Sequence, residues 1–353
     1  MTRALVLTNH LMEWAGSEVL AFEVSELLSV SYEVTLCGNQ VSPSLQPWAE
    51  NFNIKLVDDP SNIDLFEFDF IWSQHSLAPL CKNFEDLKNY EGVFNSVHLS
   101  PYEPLELASL MYVNSGVNSI LANSEETKKA IEGVLGDGVE IINFNNAAPP
   151  KFRASKPSKI FGTTLQSLLV VSNHIPSEMM KALKIIEREG LTVGLFGLGA
   201  PNYRRITSQD IESFDGVVSI GKTVQYGILG RKPVYCYDRF GGPGWINRRN
   251  YEDALWYNFS GRCCNTKKGA MQIASELIEG FEEANSGVNY LYDSCYKKFD
   301  LDSLLHKLEA KSEKILIEGT KNPFKHSSEV IRRMFIANRA ISTRMKELER
   351  ATK

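Results

Sequence analysis

The first half of the chain alternates short apolar runs with longer segments in which apolar residues recur at helical spacing. This alternation is typical of parallel strands joined by crossover helices, because both faces of such a sheet are buried. The spacing over 17–29 predicts a first helix, and the run Asn123-Ser124-Glu125-Glu126 predicts the start of a later one. The apolar runs predict strands at 4–8, 32–37, 54–57, 68–72, 93–97, 119–122 and 140–142.

The pattern is interrupted between 146 and 165, where Pro, Lys and Ser replace apolar residues. Such a segment has little to bury, so we interpret it as an interdomain linker. A second β-α-β pattern follows, with helices predicted from Ser177 and from about Lys222. Its predicted strands are 168–171, 191–196, 214–220 and 233–238.

These patterns predict an α/β fold with two Rossmann-like domains, 1–150 and 151–326, each built on an open sheet. The last segment, 327–353, carries apolar residues at helical intervals over 327–348. We predict that it forms an amphipathic helix that packs back on the first domain.

Composition agrees with this division. The chain has 353 residues, of which 43% are hydrophobic, and this suffices for more than one core. Its 38 Lys and Arg residues and 43 Asp and Glu residues give a net charge of −5. That balance argues against a nucleic-acid partner, because non-specific binding to nucleic acid depends on a positive field.

No apolar run approaches the roughly 20 residues needed to span a bilayer, so we expect no transmembrane segment. The amino-terminal residues contain no signal-peptide core, which predicts a cytoplasmic protein. The six cysteines lack the spacing of metal ligands and are expected to be reduced. The chain has no DxD-type metal motif in a loop suited to metal binding, so we expect no metal ion. We also expect no organic cofactor.

A loop of polar and small residues follows the first predicted strand and ends in Gly16-Ser17-Glu18, at the start of the first helix. Free backbone N–H groups and the positive end of the helix dipole make Gly16 and Ser17 candidate phosphate contacts. The Glu18 carboxylate is then a candidate group in the cleft. The alternative is an ordinary glycine turn with Ser17 as the helix N-cap.

A second candidate lies where the predicted strand at 214–220 runs into Gly221-Lys222-Thr223. Gly221 lets a phosphate approach the backbone, Lys222 can neutralise its charge, and the Thr223 hydroxyl can donate a hydrogen bond. The stretch lacks the upstream glycine of a Walker A loop. The alternative is an ordinary strand-turn-helix connection.

Other candidate contacts lie at the carboxyl ends of predicted strands, where open α/β sheets bind their ligands. They are Asn173, His174, Gly197, Gly199, Asp238, Gly241 and Gly242. The density of glycine around Gly241 and Gly242 predicts a ligand-binding or lid loop, with a plain surface loop as the alternative.

Histidines cluster on the same rim, which favours a polar cleft there. His10, His75, His98 and His174 all fall at or just after predicted strand ends. His98 is the strongest of them as a candidate for catalysis or substrate contact. Arg262, in a small polar loop, is either a clamp for a phosphate or carboxylate or a surface charge.

Several of these motifs together resemble GT-B glycosyltransferases, and the opening is similar to the retaining family-4-like group. Gly16-Ser17-Glu18, between a strand and a helix, resembles the G-G-x-E segment of such enzymes. The stretch 120–127, Ile-Leu-Ala-Asn-Ser-Glu-Glu-Thr, is similar to a segment late in their first domain.

The stretch 221–234 resembles the frame G-x(3)-E-A-x(3)-G-x-P-V of the nucleotide-sugar-binding domain in those enzymes. Gln225 stands where many of them carry a carboxylate, and this departure leaves the type of donor open.

The resemblance implies a GT-B arrangement in which the second domain holds a nucleotide-sugar donor and the first presents a glycan or glycolipid acceptor. It implies transfer in polysaccharide or lipopolysaccharide synthesis, without a metal, at a cytoplasmic site with peripheral contact at the inner face of the membrane. Glu18 or His98 would act as the base or orienting group. The donor contacts would include Gly221, Lys222, Thr223 and Arg262 at the phosphate and Asn173, His174, Gln225 and Asp238 at the sugar or nucleoside.

Two alternatives share the same fold. A degenerate transferase would bind a nucleotide sugar or glycan without catalysis, and Gln225 in place of a carboxylate favours it. A sugar-nucleotide epimerase would convert the donor without an acceptor.

Overall fold

The computed structural model describes residues 2–315, except for 13, 111–112, 114–115, 137, 156–163 and 199. The helix predicted at 327–348 lies outside the described residues. The strands are β1 (Arg3–Leu7), β2 (His10–Leu11), β3 (Glu33–Cys37), β4 (Gln40–Val41), β5 (Lys55–Val57), β6 (Phe70–Gln74), β7 (Val93–His98), β8 (Ser119–Ala122), β9 (Ile141–Asn143), β10 (Ser167–Val171), β11 (Thr192–Phe196), β12 (Gly216–Val218), β13 (Val234–Asp238) and β14 (Gly241–Trp245). The helices are α1 (Gly16–Leu28), α2 (Gln46–Asn51), α3 (Pro104–Ala108), α4 (Glu125–Leu135), α5 (Ser177–Arg188), α6 (Ser208–Ser213), α7 (Lys222–Leu229), α8 (Tyr251–Trp256), α9 (Ala270–Glu279), α10 (Phe281–Ser286), α11 (Val288–Cys295) and α12 (Leu301–Glu309).

The first large sheet has seven strands in the order β5-β3-β1-β6-β7-β8-β9, and all of its pairings are parallel. Its central strand β1 is apolar because both faces of the sheet are covered. Leu5 and Leu7 belong to the core on one face, and Ala4 and Val6 belong to the core on the other. The predicted α/β class and the strands of this half are confirmed, with small shifts at their ends.

The second large sheet has five strands in the order β11-β10-β12-β13-β14. The first four pair in parallel, and β14 is antiparallel to β13. Leu169 of β10 packs into one core, and its neighbours Leu168 and Val170 pack into the core on the opposite face. Each sheet therefore has two buried faces of its own, as the two β-α-β patterns predict.

The glycine-rich segment that follows β13 forms strand β14, which corrects the predicted loop. Gly241 has a φ of 103°, and a Cβ there would overlap the carbonyl oxygen of Thr266. A Cβ at Gly242 would overlap the carbonyl oxygen of Cys236. Glycine is required at these two positions because another backbone segment approaches closely, so no ligand contact is needed to explain them.

The chain returns to the first sheet at α12, which precedes the predicted terminal helix in sequence. Leu301, Leu305 and Leu308 of α12 are buried in the same core as β1, although they follow the whole second sheet in sequence. The Ile315 N–H donates to the Val117 carbonyl at 2.9 Å, and Lys311 pairs with Glu140 at 3.0 Å. The first sheet is thus completed by residues from both ends of the described chain, while the domain limits at 150 and 326 remain predictions.

Among the helices of the described part of the chain, none has both the length and the apolar character needed to cross a bilayer.

We predict that Gly241→Ala lowers the free energy of unfolding by about 3 kcal/mol, because the methyl group meets backbone atoms at a positive φ. Gly133→Ala is the matched control. Gly133 is exposed inside α4 with open space around its Cα, so alanine there should stabilise by about 0.5–1 kcal/mol. Urea unfolding of both variants is the measurement, and equal midpoints for Gly241→Ala and the parent protein would contradict the packing argument.

Candidate functional site

A cavity of about 620 Å³ lies between the two large sheets, at the carboxyl ends of their parallel strands. The part of the chain that forms the first sheet contributes Trp14, Gly16, Ser17, Val19, Leu99, Asn123 and Asn146. The part that forms the second sheet contributes Val171, Ser172, Asn173, His174, Gly197, Tyr203, Arg204, Arg205, Ile206, Ser219, Ile220, Gly221, Lys222, Thr223, Tyr226, Asp238, Arg239, Phe240, Tyr257, Asn258, Ser260 and Arg262. Both halves of the chain therefore build one site.

The N-terminus of α1 faces this cavity through Gly16 and Ser17, as the sequence predicts. A Cβ at Gly16 would have no atom within 4 Å, so the backbone there is open to a ligand. The Ser17 carbonyl is held by the Gln74 side-chain amide at 2.9 Å. This end of α1 offers free N–H groups and a positive dipole to an anion.

Glu18 lies behind that surface and not in the cavity wall. Its buried carboxylate accepts the Met12 N–H at 3.1 Å and the Ala15 N–H at 3.4 Å, and it lies 3.5 Å from the His10 imidazole. These contacts hold the loop between β2 and α1 in place. Glu18 therefore positions the loop, and the geometry does not support its predicted role as a base.

His98 is fully buried in the first sheet and is also absent from the described cavity wall. Its Nδ1 donates to the Glu106 carbonyl at 2.7 Å, and its Nε2 accepts from the Ser96 hydroxyl at 3.1 Å. Burial lowers the pKa of His98 to about 4, so the ring stays neutral near pH 7. This arrangement makes His98 a structural residue, which corrects its predicted catalytic role.

A second buried histidine extends this polar network. His75 accepts the Asn9 N–H through Nδ1 at 3.1 Å and lies 3.4 Å from the Glu106 carboxylate through Nε2. Burial lowers the pKa of His75 to about 4 and raises the pKa of Glu106 to about 8. The network fixes the loops at the ends of β1, β6 and β7, beneath the cavity.

The N-terminus of α7 forms the opposite wall through Gly221, Lys222 and Thr223. Gly221 has φ 58° and ψ −134°, a conformation that glycine adopts most readily. Lys222, however, is buried and forms an ion pair of 2.8 Å with Glu23 of α1. It also donates to the carbonyls of Asn146 and Ala147, so its charge is engaged between the two halves of the chain.

This ion pair belongs to a larger buried cluster. Tyr226 donates to Glu23 at 2.5 Å, and Arg205 contacts Glu26 of α1 at 2.5 and 3.1 Å. Burial raises the pKa of Tyr226 well above its ordinary value and lowers that of Lys222. We name Glu23, Glu26, Arg205, Lys222 and Tyr226 the interdomain cluster.

Arg262 is likewise engaged across the cleft. Its Nε and one terminal nitrogen donate to the two oxygens of Glu126 in α4 at 3.0 and 2.6 Å, a bidentate pair. The Tyr102 hydroxyl donates to the same carboxylate at 2.7 Å. Arg262 lines the cavity as predicted, but it also ties the two walls together.

The loops after β10 and β11 contribute Asn173, His174 and Gly197 to the wall, as predicted. The Asn173 side-chain oxygen accepts the Leu198 N–H at 2.9 Å, so these loops brace each other. Gly197 has a φ of 126°, and a Cβ there would overlap the Ser172 carbonyl. Gly199 lies outside the described residues.

Gln225 is fully buried and does not face the cavity. Its amide donates to the Asn145 carbonyl at 3.0 Å, which anchors the segment that joins the two sheets. Gly241 and Gly242 also lie outside the described wall. The predicted donor contacts at these positions are therefore not supported by the geometry.

Asp238 lines the cavity, but its carboxylate is occupied by its own surroundings. One oxygen accepts the Phe240 N–H at 2.8 Å, and the other accepts the Ser260 hydroxyl at 2.7 Å and the Gly261 N–H at 3.0 Å. Asp238 thus shapes the turn between β13 and β14 and the loop that precedes Arg262.

Five cationic side chains line the described wall, against one carboxylate. Arg204, Arg205, Lys222, Arg239 and Arg262 line it, and Asp238 is the only carboxylate among the described lining residues. Arg204, Arg205, Trp14 and Tyr203 were not singled out from the sequence. The pair Arg204-Arg205 after the Gly197 loop was the signal available for the first two, whereas nothing local marks Trp14 as a cavity residue.

Within the ranges that the structure describes, no three His, Cys, Asp or Glu side chains are grouped as metal ligands would be.

We predict that the unfolding free energy falls as the pH drops from 6.5 to 4, because His98 and His75 bind protons only after unfolding in that window. Each contributes at most about 1.4 kcal/mol per pH unit. Glu106 acts oppositely between 4.5 and 8, where stability falls as the pH rises. Urea unfolding of His98→Asn should show a shallower acid slope than the parent. His306→Asn, at an exposed histidine, is the control, and parallel curves for His98→Asn and the parent would contradict this.

We also predict that Lys222→Met destabilises the protein by about 3 kcal/mol, because it removes one cation from a buried carboxylate. Lys184→Met, at an exposed lysine of α5, is the matched control. The double variant Glu23→Leu, Lys222→Met should lose less than the two single losses together, because no charge is left unpaired. Additive losses in urea unfolding would show that the pair is not coupled.

Comparison with known proteins identifies a fold. No family model matches the chain, and no curated protein does. Among solved structures, HepE of Anabaena in complex with UDP-glucose aligns with a TM-score of 0.55 at 12% identity, over 87% of this chain and 98% of that one. A glycosyltransferase from Rickettsia africae aligns with a TM-score of 0.50 at 13% identity, over 87% of this chain and 96% of that one. With its two Rossmann-like sheets facing across a cleft, the chain has the GT-B fold.

Proposed function

We propose that this protein is a glycosyltransferase that moves a sugar from a nucleotide-sugar donor to a hydroxyl group of a glycan or glycolipid acceptor. The observation that carries the proposal is the cation-rich cavity between two Rossmann-like sheets, lined by the N-termini of α1 and α7. Such a site suits a nucleoside diphosphate, because backbone N–H groups and cationic side chains both stabilise phosphate oxygens. HepE, which has the same fold, was solved with UDP-glucose.

The donor would lie on the wall formed by the second sheet. The N–H groups and hydroxyl at Gly221 and Thr223 would face the diphosphate, and the loops at Asn173, His174 and Gly197 would contact the sugar or nucleoside. Stabilising the leaving phosphate is a main chemical demand of glycosyl transfer, so under this proposal the wall formed by the second sheet would supply that stabilisation.

The acceptor would lie against the first sheet, where Trp14, Val19, Leu99 and Asn123 form an uncharged surface. No carboxylate or imidazole from this sheet lines the described cavity, since Glu18 and His98 are buried behind it. The acceptor proton would then pass to the leaving phosphate or to His174, whose exposed imidazole lies on the opposite wall. Metal-independent transfer at the cytoplasmic face of a membrane, in cell-surface polysaccharide synthesis, is the setting we propose.

The absence of a base on the described acceptor wall favours one rival, a non-catalytic binder of nucleotide sugars. Turnover separates the two: release of nucleotide that requires an acceptor supports transfer, and binding without turnover supports the rival. Interconversion of the donor sugar without an acceptor would indicate an epimerase.

We predict that one nucleotide among UDP, GDP, dTDP, ADP and CMP, or its sugar, raises the thermal unfolding temperature, because a ligand bound only by the folded state stabilises it. Thr223→Val should weaken binding of that nucleotide about tenfold, because it removes a hydroxyl that donates a hydrogen bond to the phosphate. Thr192→Val, at an exposed threonine at the start of β11, is the matched control. Failure of every nucleotide and nucleotide sugar to shift the transition at millimolar concentration would overturn the proposed function.

A further inference from the structure

Most cations of the cavity wall already have a carboxylate of their own. The pairs are Arg204 with Asp210 at 2.6 Å, Arg205 with Glu26 at 2.5 Å, Lys222 with Glu23 at 2.8 Å and Arg262 with Glu126 at 2.6 Å. None of these carboxylates is among the described residues that line the cavity. A ligand phosphate must therefore compete with an existing partner at each of these cations.

Arg239 differs from them. It lines the cavity, is exposed, and has no carboxylate partner among the described residues. Its guanidinium carbon lies 4.8 Å from the centre of the Phe240 ring, and that of Arg262 lies 5.7 Å from the same ring. Phe240 thus gives Arg239 a flat surface to stack on, which restricts it without consuming its charge.

The backbone at Arg239 is also fixed. It sits in the turn between β13 and β14, where Asp238 pairs with Gly241 across the hairpin. The Asp238 carboxylate binds the Phe240 N–H on one side of Arg239 and the loop at Ser260 on the other. Because β13 is the parallel neighbour of β12, this turn lies at the same sheet edge as the N-terminus of α7.

We propose that Arg239 is the residue that binds the donor diphosphate by charge, and that Lys222 and Arg262 instead hold the two domains together. This assignment rests on the proposed function. The N–H groups of α7 would supply directional hydrogen bonds to the phosphate oxygens, and Arg239 would supply the compensating positive charge as the leaving phosphate gains its negative charge. Arg239 is then a binding and catalytic residue, in contact with the leaving group.

The test uses calorimetric titration of the full chain with the nucleotide that the parent protein binds, in its diphosphate form, and with the corresponding nucleoside. Arg239→Gln should weaken binding of the diphosphate at least about tenfold. It should change binding of the nucleoside little, because the nucleoside lacks the charged phosphates. Arg239→Lys should recover part of the loss. Arg249→Gln, an equal charge change at an exposed arginine outside the cavity wall, is the matched control.

The outcomes separate the two proposals. If the parent protein binds no nucleotide, both the proposed function and the role of Arg239 fall. If it binds a diphosphate and Arg239→Gln binds as tightly as Arg249→Gln, the role of Arg239 is wrong while the function stands. If Arg262→Gln keeps the urea midpoint of the parent protein and still loses more affinity than Arg239→Gln, the charge contact with the diphosphate belongs to Arg262 and the role of Arg239 is wrong. Unchanged urea midpoints for Arg239→Gln would show that any loss of affinity is not a loss of folding.

Discussion

The buried ion pair between Glu23 and Lys222 is the contact on which the geometry of the cavity depends. A carboxylate and an ammonium group can be buried at tolerable cost only when they meet each other with good geometry. Glu23 belongs to α1 and Lys222 to α7, so this requirement fixes the two helices relative to one another. Both helix N-termini then face the same cavity.

The same reasoning explains how a protein of net charge −5 presents a basic cavity. The carboxylates that pair with the lining cations are not themselves lining residues, so they balance these cations without facing a ligand. Glu26 and Glu126 do this for Arg205 and Arg262. The cationic lining is therefore a local feature of the cavity, and it follows from which side chains face the cavity rather than from overall composition.

Hydrophobic periodicity predicts the parallel strands of both sheets and the fold class, because a parallel sheet with two covered faces leaves a clear apolar run in each strand, whereas the antiparallel strand β14 is missed. Local chemistry predicts the start of α4, where Ser124 accepts the Thr127 N–H at 3.2 Å. Proximity of Gly221 and Ser17 to one cavity also follows from their places at strand ends.

The roles of Glu18, His98 and Lys222 do not follow from the sequence, because each depends on burial or on a partner that no spacing rule reveals. His98 is held by the Glu106 carbonyl in α3. Lys222 is held by the Glu23 carboxylate in α1, a helix that belongs to the other half of the chain. The glycines of β14 mislead for a related reason. A flexible loop and a tight contact between two backbones both demand glycine, and the sequence alone does not distinguish them.

The position of α12 has a consequence for the growing polypeptide. Leu301, Leu305 and Leu308 complete the core around β1, yet they emerge from the ribosome only after the entire second sheet. Until then, the apolar side chains of that core, including Val97 of β7, lack part of their cover. The second sheet is built from residues that are contiguous in sequence. It can therefore complete its fold before the first sheet does, although the first sheet is synthesised earlier.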